Sequence, residues 1–149
     1  MTDKQYQQRV EECVHFLKKN LAYAPRTIIQ LGTGLNRFAH DLEADCVLPY
    51  SEIPHFPTPT VASHQGNLIL ATLHGHKIAV LQGRFHYYEG YSTKEVALPV
   101  RALSLLGAEH LFITNAAGGL NPDFQAGSIM VIRDHLNFLG ENPLRGANV

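Results

Sequence analysis

Residues 92–122 read STKEVALPVRALSLLGAEHLFITNAAGGLNP. The first half carries helix punctuation. Ser92 or Thr93 serves as N-cap and Gly107 as C-cap, and Pro99 either kinks the helix or lies within its first turns. The apolar run HLFIT (110–114) follows, and AAGGLNP comes after it. A helix that feeds a strand and then a small-residue loop is the grammar of an α/β fold. Small residues at the carboxyl end of a strand also let a ligand approach backbone closely. Residues 114–122 are therefore either part of a binding site or a glycine-rich connection with no ligand.

Working outward, further short apolar runs lie at TIIQLG (27–32), DCVLPY (45–50), NLILATL (67–73), KIAVLQ (77–82) and SIMVIRD (128–134). The runs at 68–73 and 77–82 flank His74-Gly75-His76 and predict a hairpin. KQYQQRVEECVHFLKKN (4–20) spaces Tyr6, Val10, Val14 and Leu17 by three and four, which predicts an N-terminal helix with one apolar stripe. No repeat, low-complexity segment or linker interrupts the chain, so residues 1–149 are expected to form a single domain. The stretch HLNFLGENPLRGANV (135–149) is turn-rich and carries no closing helix or strand, which leads us to expect that part of the fold is missing.

Composition narrows the partners. The 149 residues are 45% hydrophobic and 17% charged, with net charge −1, as in a soluble globular protein. This balance gives no support for nucleic acid or an anionic membrane as partner. No apolar run approaches the roughly 20 residues of a membrane span, and the start is amphipathic rather than a signal peptide. Two cysteines, Cys13 and Cys46, fit a reduced, cytoplasmic setting better than a disulfide framework.

Two more stretches concentrate chemistry. Ile28-Ile29-Gln30-Leu31-Gly32-Thr33-Gly34 runs an apolar strand into Gly-Thr-Gly, where amides and a hydroxyl can face an oxyanion. A dinucleotide-binding turn would need a third glycine, and a P-loop would need a following Gly-Lys-Ser/Thr; neither is present. A tight strand-to-helix turn is the other reading. The stretch QGRFHYYEG (82–90) holds a guanidinium, an imidazole, three aromatic rings and a carboxylate between glycines. In extended backbone Arg84, His86 and Tyr88 share one side, with Phe85 and Tyr87 on the other, in the core. Arg84 offers a planar fork suited to phosphate or carboxylate. The competing reading is an exposed edge strand with a surface Arg84–Glu89 pair. His74 and His76 read as solvent-facing turn residues, and His15, His110 and His135 as structural. His64 stands in a proline-rich loop, from which it could swing over a pocket. No metal site is legible.

The motifs QLGTGL, EIPHFP, GRFHYYEGY, TNAAGGLNP and DHLNFLGENPLRG, taken together, resemble the N-terminal part of the trimeric purine nucleoside phosphorylases. The resemblance covers residue 25 or so to the end, and implies an α/β fold with a central mixed β-sheet flanked by helices. It implies phosphorolysis of 6-oxopurine nucleosides to free base and ribose 1-phosphate, with no cofactor and with inorganic phosphate as co-substrate. Position by position, Thr33, Arg84, His86 and the amide of Ala116 match phosphate-binding positions, with His86 as the catalytic group. His64 matches the loop histidine near the phosphate and the 5′ end of the sugar. Tyr88 matches a residue beside the ribose, and Ala117 and Gly118 match backbone beneath the base. Glu89 matches an acid with an orienting role. The family also implies a cytoplasmic homotrimer. Where it usually has a glycine before the loop histidine, a serine ahead of Thr-Val and another common glycine, this chain has Ser63, Pro59 and Asn36. The acid and amide that bind the base, and an aromatic residue from a neighbouring subunit, have no match in residues 1–149. Methylthioadenosine phosphorylase is the nearest rival within the family. A non-catalytic phosphate- or nucleoside-binding half-domain is the rival from outside it.

Overall fold

The computed structural model describes residues 1–58 and 65–146. Pro59, Ser63 and His64 lie outside the described residues. Among these residues three α-helices, α1 (Asp3–Asn20), α2 (Asn36–His40) and α3 (Thr93–Leu105), accompany five strands. The strands are β1 (Thr27–Gln30), β2 (Ala44–Pro49), β3 (Asn67–Leu73), β4 (His76–Gln82) and β5 (His110–Ile113). They form one sheet in the order β2-β3-β4-β1-β5. β2, β3 and β4 are antiparallel neighbours, whereas β1 is parallel to both β4 and β5. The expected mixed sheet with helices is therefore present.

Alternation along the central strands divides the core in two. Leu68 and Leu70 of β3, with Ala79 and Leu81 of β4, face a cluster built from α1, α3 and the aromatics Tyr50, Phe56 and Phe85. Ile69, Ala71, Ile78 and Val80 face the other way, toward Leu31, Ala39 and Phe38. That second face is covered by the short α2 alone among the described helices. An open apolar hollow of about 560 Å³ remains beside Ile29, Leu31, Phe38, Ile78 and Phe112.

The local signals explain the elements. Thr2 caps α1 and Ser92 caps α3, each with a reciprocal contact from Gln5 or Glu95. The α1 stripe buries Tyr6, Val10, Cys13 and Leu17, so Cys13 takes the central place expected of Val14, which is only partly buried. Pro99 sits inside α3, buried, without ending it, and Gly107 follows the helix at φ +113°. The β3–β4 hairpin turns through His74 (φ +48°) and Gly75 (φ +80°), the two positive φ values of a type I′ turn. One expectation fails. Residues 128–134 form no strand, and Ile129 and Val131 stand almost wholly exposed.

Candidate functional site

The register of the three parallel strands sets the site. Gln30 of β1 lies level with Leu81 of β4 and Ile113 of β5. Residues just beyond those positions, Gly32-Thr33, Gly83-Arg84 and Thr114–Ala116, therefore emerge together at the carboxyl end of the sheet, where open α/β sheets bind ligands.

Thr114 ties them to one another. Its hydroxyl donates to the Gln30 carbonyl (3.1 Å) and accepts from the Gly32 amide (2.9 Å). A Cβ on Gly32 would stand 2.4 Å from the Thr114 carbonyl oxygen, so only glycine permits this approach. The first glycine of Gly-Thr-Gly thus serves strand packing, whereas Gly34 has φ +89° and open space around it. Thr33 between them is exposed. Asn36 opens α2 without a positive φ, so its tolerance of left-handed backbone is not used. Arg84 Nη1 donates to the Thr114 carbonyl (3.1 Å), fixing the guanidinium across the ends of β4 and β5. Its Nε is buried and has no hydrogen-bond partner among the described residues.

Beyond Arg84 the chain leaves the extended conformation. Phe85 is buried as expected, with ring centroids 5.3 Å from Tyr50 and 6.0 Å from Tyr91. A 3₁₀ turn over Tyr87–Glu89 then rotates the alternation, and Tyr87 is exposed rather than in the core. Gly90, at φ +94°, closes the turn. The surface Arg84–Glu89 pair does not form. Instead Glu89, with a side chain only 2% exposed, accepts through Oε1 from the His86 amide (2.8 Å) and from His86 Nδ1 (2.7 Å). A carboxylate accepts but does not donate, so Nδ1 carries the proton, and Nε2 is the nitrogen with which His86 would meet a ligand. The Tyr88 ring stacks on the imidazole at 4.7 Å between centroids and 16° between planes.

Ala116, Ala117 and Gly118 continue from β5 as exposed backbone. They border an open cleft of about 710 Å³, lined by Asn115, Ala117, Gly118, Phe124 and Met130 among others, with no carboxylate in its wall. His55 was not among the expected site residues. At φ +64° its Nε2 meets Glu12 of α1 at 2.5 Å, and this contact holds the Glu12 carboxyl below its ordinary range. Tyr91 donates to the Thr58 carbonyl (2.8 Å), so two contacts tether residues 53–58. Nor did the sequence mark Thr114 as the hub, since a threonine that ends an apolar run carries no distinguishing signal. Of the expected residues, Thr33, Arg84, His86, Tyr88, Glu89, Ala116, Ala117 and Gly118 lie on these neighbouring segments.

A cation, an imidazole, a hydroxyl and backbone amides thus lie on neighbouring segments at one end of an α/β sheet. The family model described as the phosphorylase superfamily matches residues 26–149. The chain belongs to that superfamily. It is 49% identical over 140 residues to purine nucleoside phosphorylase 1 of Bacillus subtilis, covering 94% of this chain and 52% of that protein. It is 47% identical over 141 residues to purine nucleoside phosphorylase of Mus musculus, covering 93% and 49% respectively. A solved structure of isoform 2 of purine nucleoside phosphorylase from Schistosoma mansoni, in complex with cytosine and ribose-1-phosphate, superposes with a TM-score of 0.84 at 42% identity. That match covers 95% of this chain and 50% of the other. The chain spans about half the length of the curated relatives it matches.

Proposed function

We propose that this chain carries the phosphate- and ribose-binding part of a purine nucleoside phosphorylase site. Phosphate sits against Arg84, the Thr33 hydroxyl, His86 Nε2 and the Ala116 amide, and His64, outside the described residues, is the further contact that the resemblance implies. Ribose lies along Tyr88, and the base lies over the backbone of Ala117 and Gly118. The observation that carries the reading is the Arg84 guanidinium. It is held by Thr114 at one nitrogen, and its buried Nε is without a partner among the described residues. A desolvated donor in that state calls for an anion.

In the reaction the glycosidic C–N bond breaks, a phosphate oxygen bonds to the anomeric carbon, and the purine nitrogen takes the electron pair and the proton that the phosphate gives up. Holding phosphate against that carbon is worth about 7–11 kcal/mol in favourable cases. The anion also stabilises the positive charge that develops on the sugar. His86 meets the phosphate through Nε2, donating when the ring is protonated and accepting from P–OH when it is neutral, and Glu89 keeps Nδ1–H turned away from the anion. Support comes from the shared family and from relatives named purine nucleoside phosphorylase across nearly the whole chain. The same reading takes 6-oxopurine nucleosides as substrates, inorganic phosphate as co-substrate, a homotrimer as assembly and the cytoplasm as setting.

Titration of ribose 1-phosphate into the purified chain tests this. Saturable binding is expected where free ribose shows none, and His86→Ala should cost about 1.5–3 kcal/mol, the scale of a hydrogen bond to a charged group. Equal affinity of the two proteins for ribose 1-phosphate would remove His86 from the site.

A further inference from the structure

Two contacts of different kinds meet the His86 imidazole, Glu89 at one edge and Tyr88 on one face. Both donors from His86, the amide and Nδ1, converge on the same oxygen, Oε1 of Glu89. A ring held at one edge can still tilt, and tilt moves Nε2, the atom opposite the pinned edge. The face of the ring is covered by Tyr88, nearly parallel at 16° and 4.7 Å between centroids. Tyr88 is itself 75% exposed, and its hydroxyl makes no hydrogen bond with a described residue. A large aromatic displayed to water with an idle hydroxyl, and with one face laid on an imidazole, is placed for that ring contact.

We propose that Tyr88 is a positioning residue for His86, acting through its ring and not its hydroxyl, so that Nε2 stays aimed at the bound phosphate. This rests on the reading of Arg84 and His86 as a phosphate site. It gives Tyr88 a role on the phosphate side, in addition to its place beside the ribose. Aromatic pairs of this kind change an equilibrium by about three- to tenfold beyond burial alone. Because Tyr88 is exposed, its truncation leaves the core intact.

Two measurements on the full chain, both at about pH 8, decide it. The first is the ¹⁵N spectrum of the His86 ring with no phosphate present. Wild type and Tyr88→Phe are expected to show a single Nδ1–H tautomer, and Tyr88→Ala a shifted or averaged pattern. The second is calorimetric titration with inorganic phosphate. Tyr88→Ala should weaken binding about three- to tenfold, while Tyr88→Phe restores it. An unchanged ring spectrum or unchanged phosphate affinity in Tyr88→Ala overturns the proposal; loss confined to ribose 1-phosphate would mean a sugar contact only. If wild type takes up no phosphate, the reading of the site fails with it, while the ring spectra still report whether Tyr88 orders His86.

Discussion

Arg84 has one nitrogen committed to the Thr114 carbonyl and another buried with nothing to meet among the described residues. Lysine cannot serve both directions, because an ammonium lacks the rigid fork. Arg84→Lys should therefore keep the fold yet lose most phosphate affinity, a result that calorimetry together with circular dichroism would show. Elsewhere, single residues set the alkaline limit of stability. Burial raises the Cys13 thiol from 9.0 to about 12, and burial followed by Asp45 raises Tyr23 from 10.0 to about 12. Both groups are favoured neutral in the fold. Their contribution is complete below the unfolded values and is lost as pH rises toward about 12. Urea unfolding between pH 8 and pH 11, roughly, should show falling stability, with a shallower fall in Tyr23→Phe. A flat profile would contradict the burial of Cys13 and the half-buried placement of Tyr23 against Asp45.

At the scale of elements, β1 and β5 are held close by a glycine and capped by a threonine. Gly32→Ala forces a methyl to within 2.4 Å of a backbone oxygen. Backbone there must move, and a loss of about 1–3 kcal/mol in chemical denaturation is expected, with phosphate affinity falling in step. Ser92→Ala removes the cap of α3, for which about 1 kcal/mol is expected in the same assay. Both long helices were legible from period and caps, and the strands from short apolar runs. The hairpin was legible from His74-Gly75, where local geometry alone fixes the turn. Residues 128–134 misled, because an apolar pattern states that a segment suits a sheet and does not supply a neighbouring edge. Tyr87 misled for a different reason: Glu89 accepting from His86 favours a turn, and alternation is lost within one residue. The candidate site was legible as residue types. Its hub, Thr114, was not, since its importance comes from contacts 82 and 84 residues away in sequence.

For the molecule as a whole, the two sheet faces are unequal. One is packed under α1 and α3, while the other leaves an apolar hollow. β5 exposes Leu111, Phe112 and Ile113, and Leu120, Val131, Leu136 and Phe138 stand out beyond it. Apolar surface on this scale, next to an open strand edge, predicts concentration-dependent self-association of the purified chain in light scattering. A monodisperse monomer at high concentration would contradict it. The cleft beside residues 115–119 has no carboxylate in its wall. Hydrogen-bond or acid help to a departing purine is typically worth about 10²–10⁴-fold, so the 149-residue chain should bind phosphate far better than it turns over inosine. The central claim is that Arg84 anchors phosphate at the end of the sheet. Calorimetric titration of inorganic phosphate into wild type and Arg84→Ala tests it most directly. The account predicts saturable binding in wild type and a loss of about 2–5 kcal/mol in the variant. Equal affinity in the two proteins, or none in wild type, would contradict it.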